Sequence, residues 1–161
     1  MKIFYGQYTG NGTTQGITGV GFQPTCVIVK DQTNGNNGIF RTSSMTALAS
    51  LSLREDSGAF STGIITLDAD GFTVSTDGRA NTNADVYNYV AITDNGDGDF
   101  KVGTWVGNST DNRAITGFGF KPCATFIKGD LGRTGSSDAL QQKNQPDARR
   151  FSYAGGYWPD L

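Results

Sequence analysis

The sequence contains no histidine, and Glu55 is its only glutamate. Histidine is the commonest general base and metal ligand in proteins, and it is the partner of the nucleophile in Ser–His and Cys–His pairs. Its absence argues against ordinary hydrolase and metalloenzyme chemistry. We therefore expect that the protein is not an enzyme, and we expect no catalytic residue, metal site or cofactor.

Long apolar runs and clusters of positive charge are missing too. No run approaches the roughly 20 apolar residues of a membrane-spanning helix. The formal net charge is -2, and Arg149-Arg150 is the only adjacent pair of cations. Because nucleic acids and anionic membranes attract clustered basic residues, the sequence predicts neither of them as a partner.

Cysteine is scarce, since Cys26 and Cys123 are the whole thiol inventory. Each lies in an apolar run, as buried reduced cysteines commonly do. When Pro24 is aligned with Pro122, the two cysteines fall one position out of step. We expect two free, buried thiols.

What the chain does have is 23 glycines and many threonine, asparagine and serine residues, with few helix formers in succession. This composition is typical of short strands joined by tight turns. We predict an all-β sandwich, with a hairpin-type turn at "GNG" (10–12), a hairpin at "GIITLDADGFTVST" (63–76) and further strands at 2–9, 24–30, 38–44, 48–53 and 85–92. Greek-key and meander topologies both fit this pattern.

The chain repeats itself. "ITGVGFQPTCVIVK" (17–30) recurs as "ITGFGFKPCATFIK" (115–128), and "YGQYTGNGTTQ" (5–15) recurs as "VGTWVGNSTDN" (102–112). The spacing is 115 − 17 = 98 residues, with one residue inserted between the two segments. Such self-similarity indicates a tandem duplication.

The duplication is incomplete, because residues 129–161 hold no counterpart of "LDADGFTVST" or "VYNYVAI". We predict a first β repeat at 1–98, a partial second copy at 99–128 and an extended C-terminal arm at 129–161. Strands without partners leave open edges. Either the partial copy packs on the first as one sandwich or another chain supplies the missing strands, and we favour the former, with an inter-subunit role for the arm.

The arm is polar and then abruptly aromatic. Aromatic and arginine side chains are enriched at protein interfaces. The predicted interface residues are Arg149, Arg150, Phe151, Tyr153, Tyr157 and Trp158. Aromatic rings also stack on sugars. A lectin-like site therefore remains an alternative, and its candidates are the arm's Tyr153, Tyr157 and Trp158 together with Tyr5, Tyr8, Tyr87, Tyr89 and Trp105.

The order of motifs resembles a tandem-repeat β module found in structural proteins of tailed bacteriophages. The resemblance rests on "YTGNGTTQGITGVGFQPTCVIVK", "FRTSSM" and "DADGFTVSTDGRANTNADVYNYVAI", and it covers residues 5–92 and again 102–128. It implies no catalytic residues.

The resemblance implies a structural component of a bacteriophage virion, assembled in the host cytoplasm. Our first choice is a capsid decoration or auxiliary head protein that binds the major capsid protein or other virion proteins, and also itself as a homo-oligomer. A tail or tail-fibre protein and a glycan-binding module for host attachment are the alternatives.

Overall fold

The computed structural model describes residues 1–54, 58–108 and 112–129. Its regular structure consists of eight strands and one short helix: β1 Lys2–Thr9, β2 Gln15–Thr18, β3 Cys26–Asp31, β4 Ile39–Thr42, β5 Leu51–Ser52, β6 Ile64–Asp68, β7 Gly71–Val74, α1 Gly78–Asn81 and β8 Val86–Thr93. The predicted all-β class is confirmed.

The strands form two sheets in which every pairing is antiparallel. The larger sheet has the order β1-β8-β3-β4-β5, and the smaller has the order β2-β7-β6. Strand β8 is central to the larger sheet because it pairs with β1 on one side and with β3 on the other. The last strand of the sandwich therefore holds two of its early strands together.

The core lies between the two sheets. Alternate residues of β8 point into it, and Tyr87 and Ala91 are fully buried there. Tyr8 of β1 stacks on Tyr87 with ring centroids 5.2 Å apart, and Phe72 of β7 meets Tyr89 edge to face at 5.0 Å. Tyr8 and Tyr87 both belong to the larger sheet, so of these two contacts the Phe72–Tyr89 pair ties the smaller sheet to the larger one. Burying each such large side chain contributes about 1.5–3 kcal/mol.

The predicted hairpin at 63–76 is confirmed, since β6 and β7 pair across a turn at Ala69 and Asp70. Hydrogen bonds hold the tip of this hairpin against the segment between β2 and β3. The Asp70 carboxylate accepts hydrogen bonds from the backbone N–H groups of Gly19 at 3.1 Å and Gly21 at 2.5 Å. Both glycines have positive φ, which glycine adopts without steric cost.

The hairpin-type turn predicted at "GNG" is wrong. Strands β1 and β2 lie in different sheets, so the chain crosses from one sheet to the other at residues 10–14. The buried Asn81 side chain fixes this crossing, because it accepts from the Asn11 N–H at 2.8 Å and donates to the carbonyls of Ser75 and Thr13. Gly12 has the expected positive φ of 72°. An Asn-Gly dipeptide allows the chain to turn, but it does not determine whether the two flanking strands pair with each other.

Both cysteines are free, as predicted, but only Cys26 is buried. Cys123 is exposed, so the prediction of burial is wrong there. Cys26 belongs to β3 inside a paired sheet, whereas no strand forms around Cys123.

In the described part of the partial second copy, which comprises 99–108 and 112–128, no regular strand forms. The segment contacts the sandwich through Phe126, which meets Phe40 of β4 edge to face with centroids 5.5 Å apart. The domain boundaries proposed from the sequence stay predictions.

Candidate interaction surfaces

The partial second copy has no buried residue in the part that the structure describes, and in fact none of the described residues after Ala91 is buried. It nevertheless carries large apolar side chains. The exposed fractions are 44% for Trp105, 84% for Val106, 37% for Ile115, 48% for Phe126 and 37% for Ile127. We call these five residues the exposed apolar set.

Three members of this set stand where the first copy has core residues. Trp105 aligns with Tyr8, which is 9% exposed. Ile115 aligns with Ile17, which is 7% exposed, and Ile127 aligns with the fully buried Val29. The same residue types are therefore covered in one copy and open in the other.

The second copy does contain a small aromatic cluster. Phe118 and Phe120 meet edge to face at 6.3 Å. Together with Phe100 and Val102 they line a cleft of about 370 Å³ that reaches Thr25 and Ser43 of the sandwich. These four side chains are half-buried, so the cluster anchors the segment without enclosing a core of its own.

A second surface lies on the outer side of the larger sheet, where three amide side chains form a hydrogen-bonded network. Gln7 donates to Asn88 at 2.8 Å and to Gln32 at 2.9 Å, and Asn88 donates to Gln32 at 3.0 Å. The Tyr5 hydroxyl donates to Asn88 at 3.0 Å, and Tyr5 is 64% exposed. We call Tyr5, Gln7, Gln32 and Asn88 the amide face.

A cleft of about 490 Å³ lies where β3 begins and β4 and β8 end. Arg41 lines it, is 8% exposed, and donates to the carbonyls of Ala49 at 2.5 Å and Thr46 at 3.2 Å. Burial lowers the pKa of this guanidinium. We assign Arg41 a structural role, because its hydrogen bonds hold the loop at residues 46–49 against the sheet.

The described aromatic residues that the sequence offers as sugar-stacking candidates fall into a buried group and an exposed group. Tyr8, Tyr87 and Tyr89 are buried in the core, whereas Tyr5 and Trp105 are exposed. The predicted interface residues Arg149, Arg150, Phe151, Tyr153, Tyr157 and Trp158 lie outside the described residues, so that prediction stays a prediction.

Sequence reasoning missed Ile115, Phe126 and Ile127 as surface residues. Their apolar, strand-like pattern predicts burial, and only a partner segment can provide it. The signal that could have found them was present, since the second copy keeps core-type residues while residues 129–161 hold no counterpart of the sequences that form β7 and β8 in the first copy.

Among the residues that the structure describes, no group of three or more histidine, cysteine, aspartate or glutamate side chains could hold a metal ion. In the same residues no helix is long and apolar enough to cross a membrane.

Fold and surface together define the class: an antiparallel β sandwich followed by a segment with exposed apolar side chains. More particularly, the chain belongs to the family described as Domain of unknown function (DUF7483), whose model matches residues 4–98. No curated protein and no solved structure matches the chain.

Proposed function

We propose that the protein is a non-enzymatic structural component of a bacteriophage virion. Within that class its role is to decorate the capsid, by binding the shell and neighbouring subunits. The sequence resemblance to virion structural modules supports the class of protein, and the exposed apolar set supports a binding role.

The observation that carries the proposal is the exposure of Trp105, Ile115 and Ile127 at positions that are buried in the first copy. Apolar area contributes about 25 cal/mol per Å² when it is removed from water. Apolar side chains that stand at core positions but are open to water gain stability when a partner covers them. A protein that works as one part of a larger assembly accounts for such residues, because a neighbour covers them.

Particle occupancy tests this proposal. We expect the chain to co-purify with virions of the phage that encodes it, at a fixed number of copies per particle. Deletion of residues 129–161 removes the predicted interface residues and should lower that number several-fold. If the truncated chain is incorporated at wild-type occupancy, the inter-subunit role of the arm is wrong. If the full chain is absent from purified particles, the virion proposal is wrong.

A specific observation also favours glycan binding, which would suit a tail or host-attachment protein. The amide face offers an exposed aromatic ring beside amide donors and acceptors, and sugars are held by such stacking and hydrogen bonding. A glycan array with wild type, Tyr5→Ala and Trp105→Ala separates the two surfaces. Binding that is lost in Tyr5→Ala and kept in Trp105→Ala would assign the sugar site to the amide face.

A further inference from the structure

The sequence segments without a counterpart in the second copy are those that form the partner strands in the first copy. In the first copy β1 and β3 both pair with β8, and β2 pairs with β7. Residues 102–106, 115–116 and 124–128 repeat the sequences of β1, β2 and β3, but residues 129–161 repeat neither "LDADGFTVST" nor "VYNYVAI". A strand needs a neighbour to satisfy its backbone N–H and C=O groups. This explains why the described residues of the second copy form no regular strand.

The turn that binds the tip of the β6–β7 hairpin in the first copy nevertheless recurs in the second copy. Gly19 and Gly21 have φ values of 86° and 82°, and their counterparts Gly117 and Gly119 have φ values of 90° and 79°. In the first copy this conformation aims two backbone N–H groups at the carboxylate of Asp70. Backbone N–H groups that converge on one point in this way form an anion-binding concavity.

The turn of the second copy differs from that of the first in what its N–H groups bind. No carboxylate within the described parts of the chain accepts a hydrogen bond from either N–H group. The hairpin of this chain does not bind the second turn, because its Asp70 carboxylate accepts hydrogen bonds from the N–H groups of Gly19 and Gly21.

We propose that the second copy is an acceptor for a β-hairpin donated by another polypeptide, whose turn presents an Asp-Gly pair. The donor carboxylate accepts from the N–H groups of Gly117 and Gly119, and the strand that follows the turn pairs with the segment around Ile115. This is β-strand addition at an open edge. The inference rests on the proposed function, since it specifies the chemistry of the partner that docks.

The first copy shows why the donor needs this pair of residues. A Cβ atom added to Gly71 would lie 1.9 Å from the Ile17 carbonyl oxygen, so the residue after the aspartate must be glycine. The next residue, Phe72, is paired with Ile17 and fully buried. Because Ile115 repeats Ile17, the same D-G-aromatic order suits the second copy.

A labelled peptide of residues 63–75, "GIITLDADGFTVS", is the probe, and fluorescence anisotropy with the full chain is the readout. We expect saturable binding at one peptide per chain. The peptide with Asp70→Asn should bind at least about tenfold more weakly, because hydrogen bonds to a charged group contribute about 1.5–3 kcal/mol. Absence of saturable binding, or equal binding of the two peptides, would overturn the inference.

Two variants of the chain locate the site. Ile115→Asp places a charge where the donor strand packs and should abolish binding, while the exposure of Ile115 leaves the fold intact by circular dichroism. Val106→Thr is the matched control, because Val106 aligns with the solvent-facing Thr9. It should bind like wild type. Unchanged binding by Ile115→Asp would place the peptide elsewhere, for example in exchange with the first copy, and would contradict the inference.

Particle occupancy separates this inference from the proposed function. If the chain is retained on virions but the peptide does not bind, the docking role stands and the hairpin acceptor is wrong. If the peptide binds and the chain is absent from virions, the acceptor stands and the virion role is wrong.

Discussion

At the scale of the residue, equivalent side chains of the two copies lie in different surroundings. Tyr8 is buried, stacks on Tyr87 and donates a hydrogen bond to the Ala80 carbonyl at 2.6 Å, whereas its counterpart Trp105 is exposed. Burial raises the pKa of Tyr8 well above its ordinary value, so its hydroxyl remains protonated and can donate. What differs between the two positions is the cover that a neighbouring strand provides.

The two thiols should show the same difference in chemical reactivity. Burial raises the pKa of Cys26 to about 11, so almost no thiolate is present at pH 8, while Cys123 is exposed. We expect a thiol reagent at pH 8 to label one cysteine of the native chain quickly and the second only in denaturant. The control is Cys123→Ser, which should show no fast labelling. Fast labelling of two thiols in the native wild type would contradict the burial of Cys26.

The ion pair between Asp77 and Arg79 predicts that the free energy of unfolding depends on pH in the acidic range. Burial raises the pKa of its carboxyl, but hydrogen bonds from the side chain and backbone of Arg79, together with the Arg79 charge, outweigh this and hold the pKa below its ordinary value of 3.8. A lowered pKa stabilises the folded protein above pH 3.8, and this contribution is lost as the pH falls through the folded-state value. The wild type should therefore exceed Asp77→Asn in free energy of unfolding at pH 7, by no more than about 1 kcal/mol.

Urea denaturation at pH 7 and at pH 3 measures this difference. The gap between wild type and Asp77→Asn should narrow at pH 3. The asparagine side chain of the variant keeps an oxygen that can accept from the Arg79 N–H at the start of α1, so the helix cap itself is retained. A difference in free energy of unfolding between the two proteins that is larger at pH 3 than at pH 7 would contradict the lowered pKa of Asp77.

At the scale of the element, the hairpin of β6 and β7 depends on one close approach. Gly71 has φ 154°, and a Cβ atom there would overlap the Ile17 carbonyl, so Gly71→Ala must separate β2 from β7. We expect a loss of more than about 2 kcal/mol in the free energy of unfolding. Gly16→Ala in β2 is the control, because its nearest neighbour, the Thr73 hydroxyl, would lie 4.0 Å away. That variant should change the stability by less than about 1 kcal/mol. A Gly71→Ala chain as stable as the Gly16→Ala control would contradict the close approach.

Alternation and turn residues predicted several elements well. Strand β1 begins and ends at the residues expected from "KIFYGQYT", and the 63–76 hairpin forms as predicted. The run "LASLSL" gave only the two-residue strand β5. The crossing at residues 10–14 and the order of the strands could not be predicted, because a turn motif shows where the chain reverses and long-range pairing decides which strand it meets.

The exposure of the exposed apolar set could not be predicted from the sequence either, because long-range contacts decide it. The alternation around Ile115 and Ile127 predicts side chains that prefer burial, but it carries no information about which segment covers them. In the first copy β7 and β8 pair with the strands that carry the equivalent residues, and the two-sheet core buries those side chains. The structure shows the residues without it, and this is what makes them a candidate site.

At the scale of the whole molecule, one complete sandwich precedes a segment, residues 99–128, whose sequence partly repeats that of residues 5–30. The family match at residues 4–98 spans all eight strands apart from the start of β1. The complete unit is stabilised by its two-sheet core, and the described part of the second copy has no buried residue. The two-sheet core makes the complete unit the stable body, and we propose that the second copy is the part that meets a partner.

The number of copies per purified virion tests this account most directly, measured by quantitative mass spectrometry for wild type and for the double variant Ile115→Asp, Ile127→Asp. Both substituted residues are exposed, so the sandwich of the variant should melt like that of the wild type. The account predicts fixed stoichiometric retention of the wild type and a loss of at least about tenfold in the variant, since each charge removes apolar contacts that contribute about 1.5–3 kcal/mol. Equal occupancy of wild type and variant, or no wild-type chain on the particles, would contradict it.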